Sequence, residues 1–243
     1  MSFLTALGFL TVIPVGRGAS PRDLGRSIPF FPLVGLLLGL LLAGADRLLG
    51  FLPGAVVNAL LLVILALTTG GLHLDGFIDT CDGLVGLKKP HERWEIMNES
   101  RVGGFGVIGA VLLLLLKYAA LMALPQRLEA LVLMPVIGRW AGVLGITAFP
   151  HAKPEGLGHT FKDAARPGHL VAASLLALAL SLALFRLEGL ALILGVGVLV
   201  WGTGLYLKGR FAGLTGDNYG ALIEAGEVFF LLLVIVLSRW SWA

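Results

Sequence analysis

Seven apolar stretches, roughly 29–45, 54–72, 103–124, 128–148, 169–185, 189–207 and 219–238, constrain this chain more than any other feature of its sequence. Each is close to the about 20 residues that a helix needs to cross the hydrocarbon core of a bilayer. Runs such as LLLGLLLA (36–43) and VLLLLL (111–116) do not alternate between apolar and polar, so they are not strands of a closed barrel, and helices are left. Composition agrees: 57% of the residues are hydrophobic and 14% charged, against about 45–50% and about 25% in a soluble domain. With 243 residues and a mean hydropathy of +0.93, a soluble fold could not hide this much apolar surface. The expectation is an all-α, polytopic membrane helix bundle of about seven transmembrane helices, forming one domain over residues 1–243. Residues 1–14 are apolar but short, which suits an interfacial or partly inserted helix. They lack a basic start and a small-residue cleavage site, so they are read as part of the mature chain. The single cysteine, Cys81, excludes an intramolecular disulfide.

Positive charge gives these spans an expected direction. With the N-terminus in the cytoplasm, Arg17, Arg22, Arg26, Lys88, Lys89, Arg93, Arg101, Lys153, Lys162, Arg166, Lys208 and Arg210 fall inside, twelve of the 18 basic side chains. Only Arg47, Arg127, Arg186 and Arg239 fall outside, while Lys117 and Arg139 lie within spans. This predicts an inner-membrane protein with its C-terminus outside and Trp240 and Trp242 at the outer interface. The long loops 73–102, 149–168 and 208–218 then share the cytoplasmic face and carry most of the acids, histidines and glycine turns, the asymmetry expected of a site on one face.

The second stretch runs into GGLHLDGFIDTCDGLV (70–85), with Asp75, Asp79 and Asp82 on one helical stripe about 60° wide at about 100° per residue. Carboxylates so close repel one another, and no lysine or arginine between 48 and 87 neutralises them. A hard divalent cation would: Mg²⁺ takes carboxylate oxygens and shares its coordination with substrate phosphates. Gly76 and Gly83 leave room for a ligand beside the stripe, His73 falls about 160° off it and reads as a polar contact, and Cys81 reads as packing. In HERWEIMNESRVGGFGV (91–107), Arg101 beside Gly103, Gly104 and Gly106 suits an anion, or simply closes a loop onto the third span. In GLTGDNYGALIEAGE (213–227), Asp217 and Glu224 share a stripe, and Glu224 and Glu227 enter the last span without a local cation. They call for a metal, a proton or Arg139, the latter as a site or as a structural pair. The loop 151–170 mixes basic residues, glycines and histidines, and suits either a cover over a bound anion or a connector.

Taken together, FFPLVGLLLG (30–39), GGLHLDGFIDTCDGL (70–84), ERWEIMNESRVGGFGV (92–107), the pair Arg139–Trp140 and GLTGDNYGA (213–221) resemble the cobalamin synthase family over almost the whole chain. His73, Asp75, Gly76, Asp79, Asp82 and Gly83 match its first motif, Ser100, Arg101 and Gly103 its second, and Thr215, Gly216 and Asp217 its third, with Glu224 following. Glu99 stands where the family usually has Asp, and Cys81 where it usually has Ala. The resemblance implies an adenosylcobinamide-GDP ribazoletransferase, which joins that donor to α-ribazole or its 5′-phosphate and releases GMP. It implies Mg²⁺ on Asp75, Asp79, Asp82 and Asp217, catalytic roles for Asp82 as proton acceptor, Arg101 and Asp217, and substrate contacts from His73, Gly76, Gly83, Ser100, Gly103, Arg139, Thr215 and Glu224. Small-molecule substrates and membrane lipid are the expected partners, nucleic acid is not, and a homo-oligomer is left open. A CDP-alcohol phosphotransferase would need Asp-Gly-x-x-Ala-Arg, but Phe77, Ile78, Asp79 and Thr80 follow Gly76. A UbiA-type prenyltransferase would need a second Asp-x-x-x-Asp run. A transporter of cations or corrinoids would place its acids near the midplane rather than at the end of a span.

Overall fold

In a computed structural model, which describes residues 2–16, 18–86, 88–99, 101–239 and the backbone of residue 240, the chain is built of helices. Arg17, Ser100 and Trp242 lie outside the described residues, as does the side chain of Trp240. In chain order the helices are α1 (Ser2–Leu10), α2 (Pro21–Ser27), α3 (Phe31–Leu48), α4 (Gly54–Thr68), α5 (Leu72–Leu84), α6 (Pro90–Met97), α7 (Gly104–Ala123), α8 (Arg127–Ala148), α9 (Leu157–Ala164), α10 (Pro167–Phe211) and α11 (Gly216–Trp240). A single 3-10 turn, Ile28–Phe30, joins α2 to α3. Among the described residues the one β-type pairing is an isolated bridge between His151 and Leu214.

Local chemistry sets several of the boundaries. Ser20 and Asp23 form a reciprocal capping box ahead of α2, with Pro21 at its first position, where the missing N–H costs nothing. Thr215 and Asn218 do the same for α11: the Asn218 N–H donates to the Thr215 hydroxyl at 3.2 Å and the Thr215 N–H to Asn218 Oδ1 at 3.0 Å. Gly70 and Gly71, with φ of 62° and 70°, turn the chain by 92° between α4 and α5. An L side chain at either would be strained there. Hydropathy alone ran the second stretch to residue 72. The two left-handed glycines end it at Thr68 and send α5 across the end of the bundle.

Among the described residues, five helical segments are long and apolar enough to cross a bilayer: Pro21–Leu48, α7, α8, α10 and Gly216–Arg239. The bent pair α4 and α5 makes a sixth if it counts as one path. The 45-residue α10 is not straight, because Arg186 has φ 53° and ψ −134°. A Cβ on Gly189 would lie 2.2 Å from the Ser181 carbonyl oxygen, although eight residues of straight helix would hold them about 12 Å apart. The chain therefore folds back at Arg186 into two arms, 167–185 and 187–211, at the boundary drawn between the fifth and sixth apolar stretches. α1, nine residues long, is too short to cross.

α8 is the central helix, 89% of its apolar window buried against α3, α10 and α11. The outer helices expose leucine and valine instead: Leu40 and Leu41 on α3, Leu112 and Leu115 on α7, and Leu175, Leu194 and Val198 on α10. That surface suits lipid and would be costly in water. At the end of the bundle away from α5, Arg127 donates to Asp46 at 2.8 Å, Asn58 at 2.6 Å and the Leu121 carbonyl at 2.8 Å, tying α3, α4, α7 and α8 together.

Candidate active site

At the α5 end of the bundle a cavity of about 320 Å³ opens between α1, α3, α5, α9, the start of α11 and the loop between α8 and α9. One wall is aromatic. Phe9 of α1, Phe31 of α3 and Phe161 of α9 form a triangle with ring centroids 4.6–6.0 Å apart. The other is polar and comes from His73, Asp75 and Gly76 of α5, Asp217 and Tyr219 of α11, and His151 and Lys153 of the loop.

The backbone explains why these groups meet. The loop is bonded to the residue before the α11 cap, Ala152 N–H to Leu214 carbonyl and Leu214 N–H to Pro150 carbonyl, both 2.8 Å. This bridge brings Lys153 and His151 beside the first turn of α11. Gly76 then lets α5 approach that turn, since a Cβ there would lie 2.8 Å from the Asp217 carbonyl oxygen. Asn218 Nδ2 donates to Thr80 at 3.0 Å and fixes the register between the two helices.

Lys153 Nζ donates to Asn98 Oδ1 at 2.8 Å and stands 3.9 Å from Asp217 Oδ2. Thr215 Oγ1 donates to the same carboxylate oxygen at 3.3 Å. His151 Nδ1 and the Tyr219 hydroxyl are 2.9 Å apart. Burial, then the neighbouring His159 and Lys153, pushes the His151 pKa down to about 4, so the ring is neutral at neutral pH. On α5, bent by 92° from α4, burial and then the charges of Asp217, Asp75 and Asp82 push the Asp79 carboxyl up to about 6.

The anticipated residues lie in several distinct places. His73, Asp75, Gly76 and Asp217 line the cavity, and Thr215 caps the helix that carries Asp217. Asp79 is their neighbour in charge but not a lining residue. Asp82, the expected metal ligand and proton acceptor, is not among the residues that line the cavity. Its two oxygens accept the Gly103 N–H at 2.8 Å and the Gly106 N–H at 2.7 Å, so it caps the start of α7 away from the cavity. Gly103 and Gly106 leave room for that carboxylate, and Gly83 packs against Met97 and Phe211. Arg101 is exposed and does not line the cavity; Ser100 lies outside the described residues.

Arg139 and Glu224 belong to a buried network behind the cavity. Lys117 Nζ donates to Glu224 and Glu227, each at 2.5 Å, Arg139 Nη1 donates to Glu227, and Arg139 Nη2 stands 3.4 Å from His73 Nδ1. An arginine can only donate, so Nδ1 is the accepting nitrogen in that contact. Two charges of each sign balance, which lets these groups lie inside the bundle.

Sequence reasoning assigned no site role to Lys117, Arg93 or Tyr219, and treated His151 and Lys153 only as part of a loop suited to cover an anion or to connect two helices. Lys117 had a visible signal, a lone cation within the apolar run 103–124. Arg93 had none: its guanidinium donates to the carbonyls of Gly83, Gly86 and Lys88 and closes the end of α5 without a carboxylate partner.

Among the described residues no three His, Cys, Asp or Glu side chains gather closely enough to cage a metal ion. The donor set nonetheless fits one kind of cation. Burial first, and then the charges of Asp217, Asp75 and Asp82, disfavour the ionised form of Asp79, and Asp79 and Asp217 both offer hard oxygens. Mg²⁺ binds in that way, through one or two carboxylates, several waters and substrate phosphate.

The sequence pattern of the family described as cobalamin-5-phosphate synthase matches residues 2–235. The adenosylcobinamide-GDP ribazoletransferase of Desulforamulus reducens is 41% identical over 97% of this chain and 96% of its own length. That of Geotalea daltonii is 38% identical over 97% of both chains, and that of Synechococcus elongatus 42% identical over 91% of both. No solved structure matches the chain.

Proposed function

Because the chain belongs to the cobalamin-5-phosphate synthase family, we propose that it is an adenosylcobinamide-GDP ribazoletransferase acting at the α5 end of its bundle. One observation carries the reading furthest. The two family motifs most distant in sequence, around Asp75 and Asp217, converge on one cavity and bring their carboxylates to its wall.

In the reaction, a ribose hydroxyl oxygen of α-ribazole or its 5′-phosphate attacks the phosphorus that carries the cobinamide. A new P–O bond forms, the P–O bond to the GMP phosphate breaks, and GMP leaves with the electron pair. The hydroxyl proton passes to a carboxylate. Asp75 suits that role, since it faces the cavity and its carboxylate has no hydrogen-bond partner among the described residues. Such transfers depend on positioning and charge stabilisation more than on covalent catalysis. Asp79 and Asp217 would hold Mg²⁺, which when bound supplies charge stabilisation to the phosphate oxygens. Lys153 adds a fixed cation at the cavity wall, and Asp82 positions α7 rather than touching substrate. Arg101, exposed on the same end of the bundle, is placed to meet outer phosphate oxygens of the bulky donor.

The topology that fits is seven crossings: α3, α4, α7, α8, both arms of α10, and α11. The excess of Lys and Arg at the α5 end supports a cytoplasmic site in the cell membrane, with the N-terminus inside.

The test is GMP release by the purified chain in detergent, with adenosylcobinamide-GDP and α-ribazole 5′-phosphate, in Mg²⁺ and in EDTA. Release that needs both substrates and Mg²⁺ is expected, and Asp75→Asn or Asp217→Asn should lower it by about 100-fold or more. No release from folded protein would refute the transferase. Release undiminished by EDTA would refute the metal.

A further inference from the structure

The cavity is lined both by aromatic rings and by charged side chains, and the two substrates differ in how they would meet them. This inference rests on the transferase reading. At about 320 Å³ the cavity is at the lower end of small-molecule sites, matching a nucleotide and far too small for a corrin ring with its side chains. Two nucleotide-sized groups take part: the guanosine phosphate of the donor and the ribazole of the acceptor. Their bases differ in the property this cavity discriminates. Guanine carries an exocyclic amine and a carbonyl, which Phe9, Phe31 and Phe161 cannot partner. A benzimidazole is an apolar bicyclic ring that stacks on such a wall without that cost.

The lining also carries Asp75, Glu155 and Asp217 and, among the described residues, a single Lys or Arg side chain, Lys153. Lys153 is held by Asn98 at 2.8 Å, only 20% of its side chain is exposed, and the loop that bears it is bonded to Leu214. An anion entering this cavity meets that ammonium and otherwise carboxylates. The matching family is described by a product that bears a 5-phosphate, whereas the relatives are described by transfer of ribazole; a phosphate on the acceptor reconciles the two.

We infer that the cavity is the subsite of the acceptor nucleotide, with its benzimidazole against Phe9, Phe31 and Phe161 and its 5′-phosphate on Lys153. Lys153 is then the residue that distinguishes α-ribazole 5′-phosphate from α-ribazole, and the donor approaches from outside the cavity.

The experiment measures kcat/KM of the full chain in detergent for both acceptors at saturating donor, for wild type, Lys153→Met and Lys153→Arg, with melting curves to verify folding. Wild type should prefer the phosphorylated acceptor. Lys153→Met should lower that preference by about tenfold or more, through KM, because a charge-assisted phosphate contact is lost, and Lys153→Arg should retain it. An equal loss with both acceptors would place Lys153 on the donor diphosphate and overturn the assignment. So would a wild type without preference. GMP release with neither acceptor would instead overturn the transferase reading itself, so the two failures are distinct.

Discussion

Replacing Lys117 with methionine isolates the buried charge network behind the cavity. The side chain is 2% exposed and its ammonium is the common partner of Glu224 and Glu227, whose side chains are 10% and 1% exposed. With Lys117 and Arg139 against two glutamates, the network sums to zero. Methionine fills nearly the same volume and removes one positive charge, leaving Arg139 to balance Glu227 while Glu224 faces the bundle interior alone. Removing one partner of a buried pair costs about 3–5 kcal/mol, far more than the about 0–1 kcal/mol of an exposed pair. The double variant Lys117→Met/Glu224→Gln returns the sum to zero and should recover at least about 2 kcal/mol of that loss, appearing as a coupling energy in a double-mutant cycle. The assay is reversible unfolding in mixed micelles, followed by helicity at fixed pH. Loss of less than about 1 kcal/mol in the single variant, or additive losses in the double, would refute the reasoning that Lys117 balances buried charge. GMP release should fall in the single variant too, since the same network holds Arg139 beside His73.

Two further outcomes follow from the groups around the site. Asp82→Ala removes the acceptor for the Gly103 and Gly106 N–H groups at the start of α7; thermal melts should show a loss of about 1–3 kcal/mol, and a melt unchanged from wild type would sink the capping role. His151 has its pKa pushed down from 6.5 to about 4, by burial first, so the unfolded chain binds the proton more readily. Stability is therefore whole above about pH 6.5 and lost as pH falls toward 4, and His151→Asn should flatten that slope in melts run between pH 7.5 and 4.5; parallel slopes would count against it.

What the sequence made legible, and what it did not, separates along a physical line. Spans follow from local hydropathy, so the helices appear near their anticipated places, and even the fold-back at Arg186 coincides with a gap between apolar stretches. The same averaging over a window blurred the end of α4, where two glycines act through φ rather than hydropathy. Short α2, α6 and α9 went unseen because their caps and amphipathic faces leave no 20-residue signature. At the site, the motifs singled out the acids as a group, but a stripe on one helix could not reveal which neighbour each carboxylate would meet. Asp82 meets backbone N–H groups more than 20 residues later, and Glu224 meets Lys117 across 107 residues. Those partners are decided by helix packing: Gly76 lets α5 come against the first turn of α11, and that contact leaves Asp75 and Asp217 facing the cavity while turning Asp82 toward α7. If that division holds, Asp75→Asn should abolish turnover with an unchanged melt, whereas Asp82→Ala should lose stability first, an ordering that three equivalent metal ligands would not produce.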